Sequence, residues 1–178
     1  YSRLPAAMGE SRKAGGTGMK VYHGGTVVVK EPLAGIRRAG LDFGQGFYVT
    51  VHRKQACEWA SRMADRRQQP PVLNEYQLDR DTALKEYKCL VFEKYDKAWL
   101  DFIAGNRKGR QLWKGYDWIE GGVADDRVVD TVESYIAGLM GVEEALKRLT
   151  FLVPNNQICL LNQRLIDRCL RFVNFTRI

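Results

Sequence analysis

The 178-residue sequence predicts one α+β domain, on three observations. Short segments rich in β-branched and aromatic residues, such as "MKVYHGG", "GFYVT", "VLNEYQLD" and "NQICLL", read as strands. Other segments place apolar residues at i, i+3, i+4 and i+7, the signature of an amphipathic helix. The two kinds alternate irregularly with several hairpin-length links, which fits α+β and argues against a doubly wound sheet.

Taken in order, the first 18 residues, "YSRLPAAMGESRKAGGTG", are Gly/Ser/Ala-rich and aperiodic, and they lack the apolar centre of a secretory signal. They read as a flexible leader or expression remnant, with the domain occupying 19–178. "MKVYHGG" is a strand carrying His23 near its end, and 24–44 shows no periodicity beyond a loop or short helix. "GFYVT" is a second strand. Ala56, Trp59, Ala60 and Met63 mark a helix over 53–67 that "QQPP" stops. "VLNEYQLD" and "YKCLVFE" follow as strands, then a helix over 97–104 packing Trp99, Leu100 and Ile103. "YDWIEGGVADD" is a strand ending in a glycine turn. Val128, Val132, Tyr135 and Leu139 share a helical face, and a second helix spans 142–149. "NQICLL" and "CLRFVNF" close the chain as strands. Trp59 and the Val128/Val132/Leu139 stripe are expected in the core.

A formal charge of +7, from 28 basic and 21 acidic residues, favours an anionic partner, although scattered Lys and Arg also suit an ordinary basic surface. The densest basic stretch is "GNRKGRQLWKG", 105–115, which reads as an exposed loop around Trp113. Cys57, Cys89, Cys159 and Cys169 lack CxxC or Cys/His ligand spacing, so no metal site is expected and free thiols of a reducing, cytoplasmic setting are. No apolar run approaches the ~18 residues of a membrane span.

Two glycine-flanked strands carry the chemistry. In "YHGG", His23 sits beside Gly24, offering an imidazole and a bare backbone with which a carboxamide can pair. In "DFGQGFYVT", Gly44 and Gly46 allow close approach and Tyr48 offers a flat face for a stacked ring. At these residues the sequence resembles the ADP-ribosyltransferase superfamily, in its poly(ADP-ribose) polymerase-like and diphtheria-toxin-like branch. His23-Gly24-Gly25 fits the first motif, Gly44-Gln45-Gly46-Phe47-Tyr48-Val49 the second, and "PNNQICLL" looks like the late strand of the third. From Met19 to Phe175 the chain also looks like a bacterial family of ADP-ribosyltransferase-like domains, sharing "GGVADD" and the Gln-Ile-Cys strand. Some of those are encoded beside small antitoxin-like partners.

The resemblance implies two small, packed, mostly antiparallel sheets that form an NAD cleft with flanking helices. It implies His23, Gly24, Gly46, Tyr48 and Gln157 as NAD contacts, with attack at C1′ of the nicotinamide ribose. Gln157 stands where the branch carries glutamate, and an amide can hydrogen-bond a ribose hydroxyl but supplies no charge and no general base. A unit charge 4 Å away is worth about 4 kcal/mol at an effective dielectric of ~20, so a replacement carboxylate is sought. Asp125 and Asp126 are candidates, although they also suit a helix N-cap; Glu75 and Glu120 are further ones. Arg37 and Arg38 are within sequence reach of a pyrophosphate or form a solvated charge pair, and His52 reads as exposed.

The expected function is therefore NAD-dependent mono-ADP-ribosyl transfer, catalysed through His23, Tyr48, Gln157 and Asp126, on a protein or nucleic-acid acceptor. A toxin or effector role, in its own cytoplasm or a target cytosol, with a cognate antitoxin or immunity protein, goes with that reading. A catalytically silent NAD- or ADP-ribose-binding module is the alternative that Gln157 supports, and a basic RNA-binding domain is a third.

Overall fold

The computed structural model of the chain describes residues 18–36 and 40–178. The expected leader, Gly18 apart, and the Arg37–Arg38 pair lie outside the described residues. In chain order the elements are β1 (Met19–Gly25), β2 (Phe47–Val49), α1 (Arg53–Arg67), β3 (Val72–Leu78), α2 (Arg80–Glu86), β4 (Cys89–Val91) and α3 (Lys97–Arg107). There follow a short 3-10 turn at Leu112–Gly115, β5 (Trp118–Gly121), α4 (Val129–Ile136), α5 (Val142–Leu149), β6 (Gln157–Leu160), α6 (Gln163–Cys169) and β7 (Leu170–Arg177). This is the expected α+β class.

The strands form two sheets. One is antiparallel in the order β1-β3-β7, and the other runs β2-β6-β5-β4 with only the β4–β5 pair parallel. Between them, Val21, Tyr76 and Leu78 of the first sheet meet Phe47, Trp118, Ile158 and Leu160 of the second. The opposite face of the four-stranded sheet turns Ile119 and Cys159 towards Trp99, Leu100 and Ile103 of α3 and towards Val128, Val132, Ala145 and Leu149. Alternation of side chains along each strand produces the two cores. A backbone bridge between Tyr22 and Thr50, with N–O distances of 2.8 and 2.9 Å, ties the sheets together.

α1 forms because Ala56, Ala60 and Ala64 recur every fourth residue and are buried, which lets the helix lie close on β1. It ends at Gln68, whose φ of 53° is left-handed. The span matches the 53–67 expectation, and α5 matches 142–149. α3 runs three residues beyond 104, so the basic stretch 105–115 starts inside the helix with Gly105 and Asn106 buried; from Lys108 to Gly115 it is the exposed segment expected, with Trp113 half-buried. α2 and α6 were not anticipated. Each is only seven residues long, too short for a periodic signal, and each is started by a cap: Asp79 accepts from Thr82 N–H at 3.0 Å and Asn162 from Arg164 N–H at 2.9 Å.

Two core expectations need correction. α4 stops at Ile136, so Leu139 falls in a turn and is 84% exposed, while Val128 and Val132 are fully buried. Trp59 is half-buried and lies on a cleft wall. Helical spacing alone does not separate a core aromatic from one that borders a cavity.

Hydrogen bonds from the Thr82 backbone and hydroxyl hold Asp79 below the usual carboxylate range. Its folded pKa is depressed, so its stabilisation is present above the unfolded pKa and lost as pH falls through the folded one. Asp79→Ala is expected to lower unfolding free energy by about 1 kcal/mol at pH 7. Urea unfolding at a series of pH values should show this gap narrowing below about pH 4.

Candidate functional site

β1 places His23 opposite Asn74 of β3, where the histidine is 6% exposed. Its Nδ1 lies 2.7 Å from the backbone oxygen of Tyr48. A carbonyl only accepts, so Nδ1 carries the hydrogen and donates, which fixes the tautomer of the neutral ring. The imidazole also stacks on Phe47 with centroids 4.5 Å apart. A side chain of one sheet is thus bonded to the backbone of the other.

β2 pairs Tyr48 with Cys159 of β6. The Tyr48 hydroxyl donates to the Gly44 carbonyl at 2.7 Å and accepts from Phe43 N–H at 3.3 Å. Burial, with Cys159 adding to it, pushes the phenol far above its ordinary pKa, so it stays neutral. Gln157 opens β6 opposite Gly121 and is 6% exposed. Residues two apart on a strand share a face, so Gln157 and Cys159, with Tyr48 across from it, turn the same way. His23, Tyr48 and Gln157 all line one cleft of about 810 Å³.

α1 supplies a wall of that cleft with Trp59, Arg62, Met63, Arg66 and Arg67, and the end of α3 adds Arg107. Sequence reasoning missed this row, although its signal was present: the same i, i+3, i+4, i+7 spacing carries cations beside an aromatic. Arg62 and Arg66 are like charges at i, i+4, which costs an isolated helix a few tenths of a kcal/mol. Arg66 and Arg67 also favour the negative end of the helix dipole. Arg107 makes a bidentate pair with Asp42 at 2.7 and 3.0 Å, Arg62 is 3.9 Å from Asp126, and Arg67 donates to the Thr26 hydroxyl at 3.3 Å. Among the described residues Arg66 has no carboxylate partner. Among the described residues four guanidinium groups and one carboxylate, Asp42, therefore border the cleft, a field suited to an anion.

The glycines also serve packing. A Cβ on Gly24 would stand 1.9 Å from the Ala56 carbonyl oxygen, so the bare position admits α1 against β1, and Gly24 still borders the cleft. Gly44 has φ +97° and the Trp113 ring covers it, 2.4 Å from where a Cβ would be. Gly46 faces the Leu160 carbonyl at 2.4 Å and does not border the cleft. Close packing accounts for the bareness of "FGQG".

The sought carboxylates are dispersed. Asp126 has a 93% exposed side chain and is not part of the cleft wall. Asp125 is not a side-chain N-cap of α4, whose cap is Val128; it closes a turn by accepting from Arg127 N–H at 3.0 Å and also accepts from Asn155 at 2.7 Å. Burial raises its pKa, but the hydrogen bonds from Asn155 and Arg127 outweigh this and leave it below the usual value. It borders a second, shallow depression together with the exposed His52. Glu120 pairs with Ile158 and so faces away from Gln157; it meets Arg80 at 2.8 Å and accepts from Asn156 at 3.1 Å. Glu75 pairs with Lys20 at 2.9 Å on the other sheet.

A family profile described as "Protein of unknown function (DUF3990)" matches residues 19–172. The chain belongs to the DUF3990 family. No curated protein and no solved structure matches it. The DUF3990 match starts with β1 and ends inside β7, so it takes in every residue placed on the cleft above. Among the described residues no group of three or more His, Cys, Asp or Glu is placed to hold a metal ion, and no helix is long and apolar enough to cross a membrane. Cys159 and Cys169 are buried and Cys57 and Cys89 half-buried.

Tyr48→Phe in this DUF3990 chain keeps the ring but removes the hydroxyl that joins Gly44 and Phe43. It should cost about 1–2 kcal/mol in denaturant unfolding, because a buried carbonyl and amide lose their partner.

Proposed function

We propose that this DUF3990 chain is an NAD-dependent mono-ADP-ribosyltransferase of the ADP-ribosyltransferase fold, acting on a protein or nucleic-acid acceptor. The observation that carries the reading is the convergence of His23, Tyr48 and Gln157, from three strands of two sheets, on one cleft bordered by arginines. The chemistry of the lining suits the parts of the dinucleotide. The Tyr48 ring gives a neutral aromatic face for the nicotinamide. The imidazole of His23, its tautomer set by the Tyr48 carbonyl, serves a ribose hydroxyl through its other nitrogen. The Gln157 amide serves the second hydroxyl. Arg62, Arg66 and Arg67 oppose the two pyrophosphate charges, and the guanidinium fork suits phosphate oxygens better than an ammonium would.

In this reading the protein acts by holding and orienting. His23 and Gln157 fix the ribose, and the burial of both side chains strengthens each polar contact. Gln157 favours a single transfer over chain growth, since elongation in the resembled branch depends on a glutamate. The neutral Gln157 also supports the second reading, a module that binds NAD or ADP-ribose without turning it over.

Incubation with labelled NAD and an acceptor lysate separates the two. Transfer of label that His23→Ala abolishes supports the enzyme; NAD binding with neither transfer nor nicotinamide release supports the module. For the arginine row, the double variant Arg66→Ala/Arg67→Ala should weaken NAD binding tenfold or more in calorimetry, and the wild-type advantage should shrink with added salt. Unchanged affinity would remove the pyrophosphate assignment.

A further inference from the structure

Among the described residues, Asp42 is the one carboxylate that borders the cleft. Its side chain is 17% exposed and its position is fixed on both sides. The Asp42 carbonyl accepts from Asn106 Nδ2 at 2.7 Å, while its carboxylate takes Arg107 Nε on one oxygen and Nη2 on the other. The next residue donates its amide to the Tyr48 hydroxyl, and the one after accepts from that hydroxyl. Asp42 is therefore held one residue away from the ring on which the nicotinamide would stack. Each carboxylate oxygen has two lone-pair sites, so the Arg107 fork leaves acceptor capacity on both. Because Arg107 offsets its charge at longer range, Asp42 acts only at contact distance.

From this placement we infer that Asp42 is the catalytic carboxylate of the cleft, supplying the negative charge and proton acceptor that Gln157 cannot. The inference rests on the transferase reading above and adds a residue to it. In the step, the bond between C1′ and the pyridine nitrogen breaks and its electron pair stays on nitrogen, so nicotinamide leaves neutral. The positive charge left on C1′ and the ring oxygen faces the Asp42 carboxylate. An acceptor hydroxyl, or water in hydrolysis, forms the new C1′–O bond, and its proton passes to Asp42 and then to solvent. Charge and atoms balance with NAD and the acceptor alone.

The test measures nicotinamide release from NAD by the full chain, with NAD affinity by calorimetry beside it. Asp42→Asn keeps the size but turns one acceptor oxygen into a donor, so it keeps one of the two Arg107 bonds. It should retain NAD affinity within about threefold while release falls on the order of 10²-fold. Adding Gln157→Glu to Asp42→Asn should recover at least about tenfold, because a carboxylate returns to the cleft. Release by Asp42→Asn at the wild-type rate overturns Asp42 and leaves the transferase reading standing. Wild-type protein that binds no NAD, or binds it without releasing nicotinamide, overturns the transferase reading and Asp42 with it. Should Asp42→Asn fail to fold, Gln157→Glu alone decides. A gain of no more than about tenfold means the cleft already has its carboxylate, and a larger gain means it lacked one.

Discussion

The short hydrogen bond from His23 Nδ1 to the Tyr48 carbonyl is the contact on which the architecture of the cleft turns. His23 belongs to the three-stranded sheet and Tyr48 to the four-stranded one, and their strands are also joined by the Tyr22–Thr50 bridge and by packing in the core between the sheets. Because the donor is a side chain and the acceptor a backbone atom, the bond orients the ring and the strand together. The imidazole is further held by Phe47, which itself packs edge-on against Tyr76 in the core between the sheets. Buried apolar area thus positions a polar group, and the polar group fixes how the sheets meet. A buried polar contact of this sort contributes about 1 kcal/mol net; its larger consequence is geometric.

The electrostatics of the cleft are separated by the pleat of the four-stranded sheet. Gln157 and Tyr48 face one side with the arginines, while Glu120 faces the other and binds Arg80 and Asn156. Asn156, in turn, accepts from the Val51 amide and its carbonyl accepts from Gln55. Glu120 therefore braces the backbone beside Gln157 from behind and never confronts the same ligand. Strand period decides this, and a shift of one residue would exchange the two roles.

How much of this could be read in advance differs by element. α1 was legible because its apolar residues repeat from Ala56 to Ala64, and α5 because it follows the break at Gly141. α2 and α6 escaped because seven residues make less than two turns, and their caps, Asp79 and Asn162, look like any polar residue in a loop. His23 and Tyr48 stood out because each sits beside distinctive glycines, whereas Gln157 was singled out only by the resemblance of its strand. Asp42 was not, since 24–44 has no period and only the fold brings it to Arg107, 65 positions away. The arginine row was present in the sequence but was overlooked, because attention to the apolar face of α1 treated Trp59 as core. Asp125 and Asp126 illustrate the reverse case, a conspicuous acidic pair whose side chains the fold turns elsewhere.

The Trp113 ring lying over Gly44 makes two surface features mechanically one. The basic segment that carries Lys108, Arg110 and Lys114 includes this indole, and the indole is seated on the turn next to Asp42 that holds the Tyr48 hydroxyl. Shifting the indole would uncover Gly44, and with it the turn whose backbone holds the Tyr48 hydroxyl.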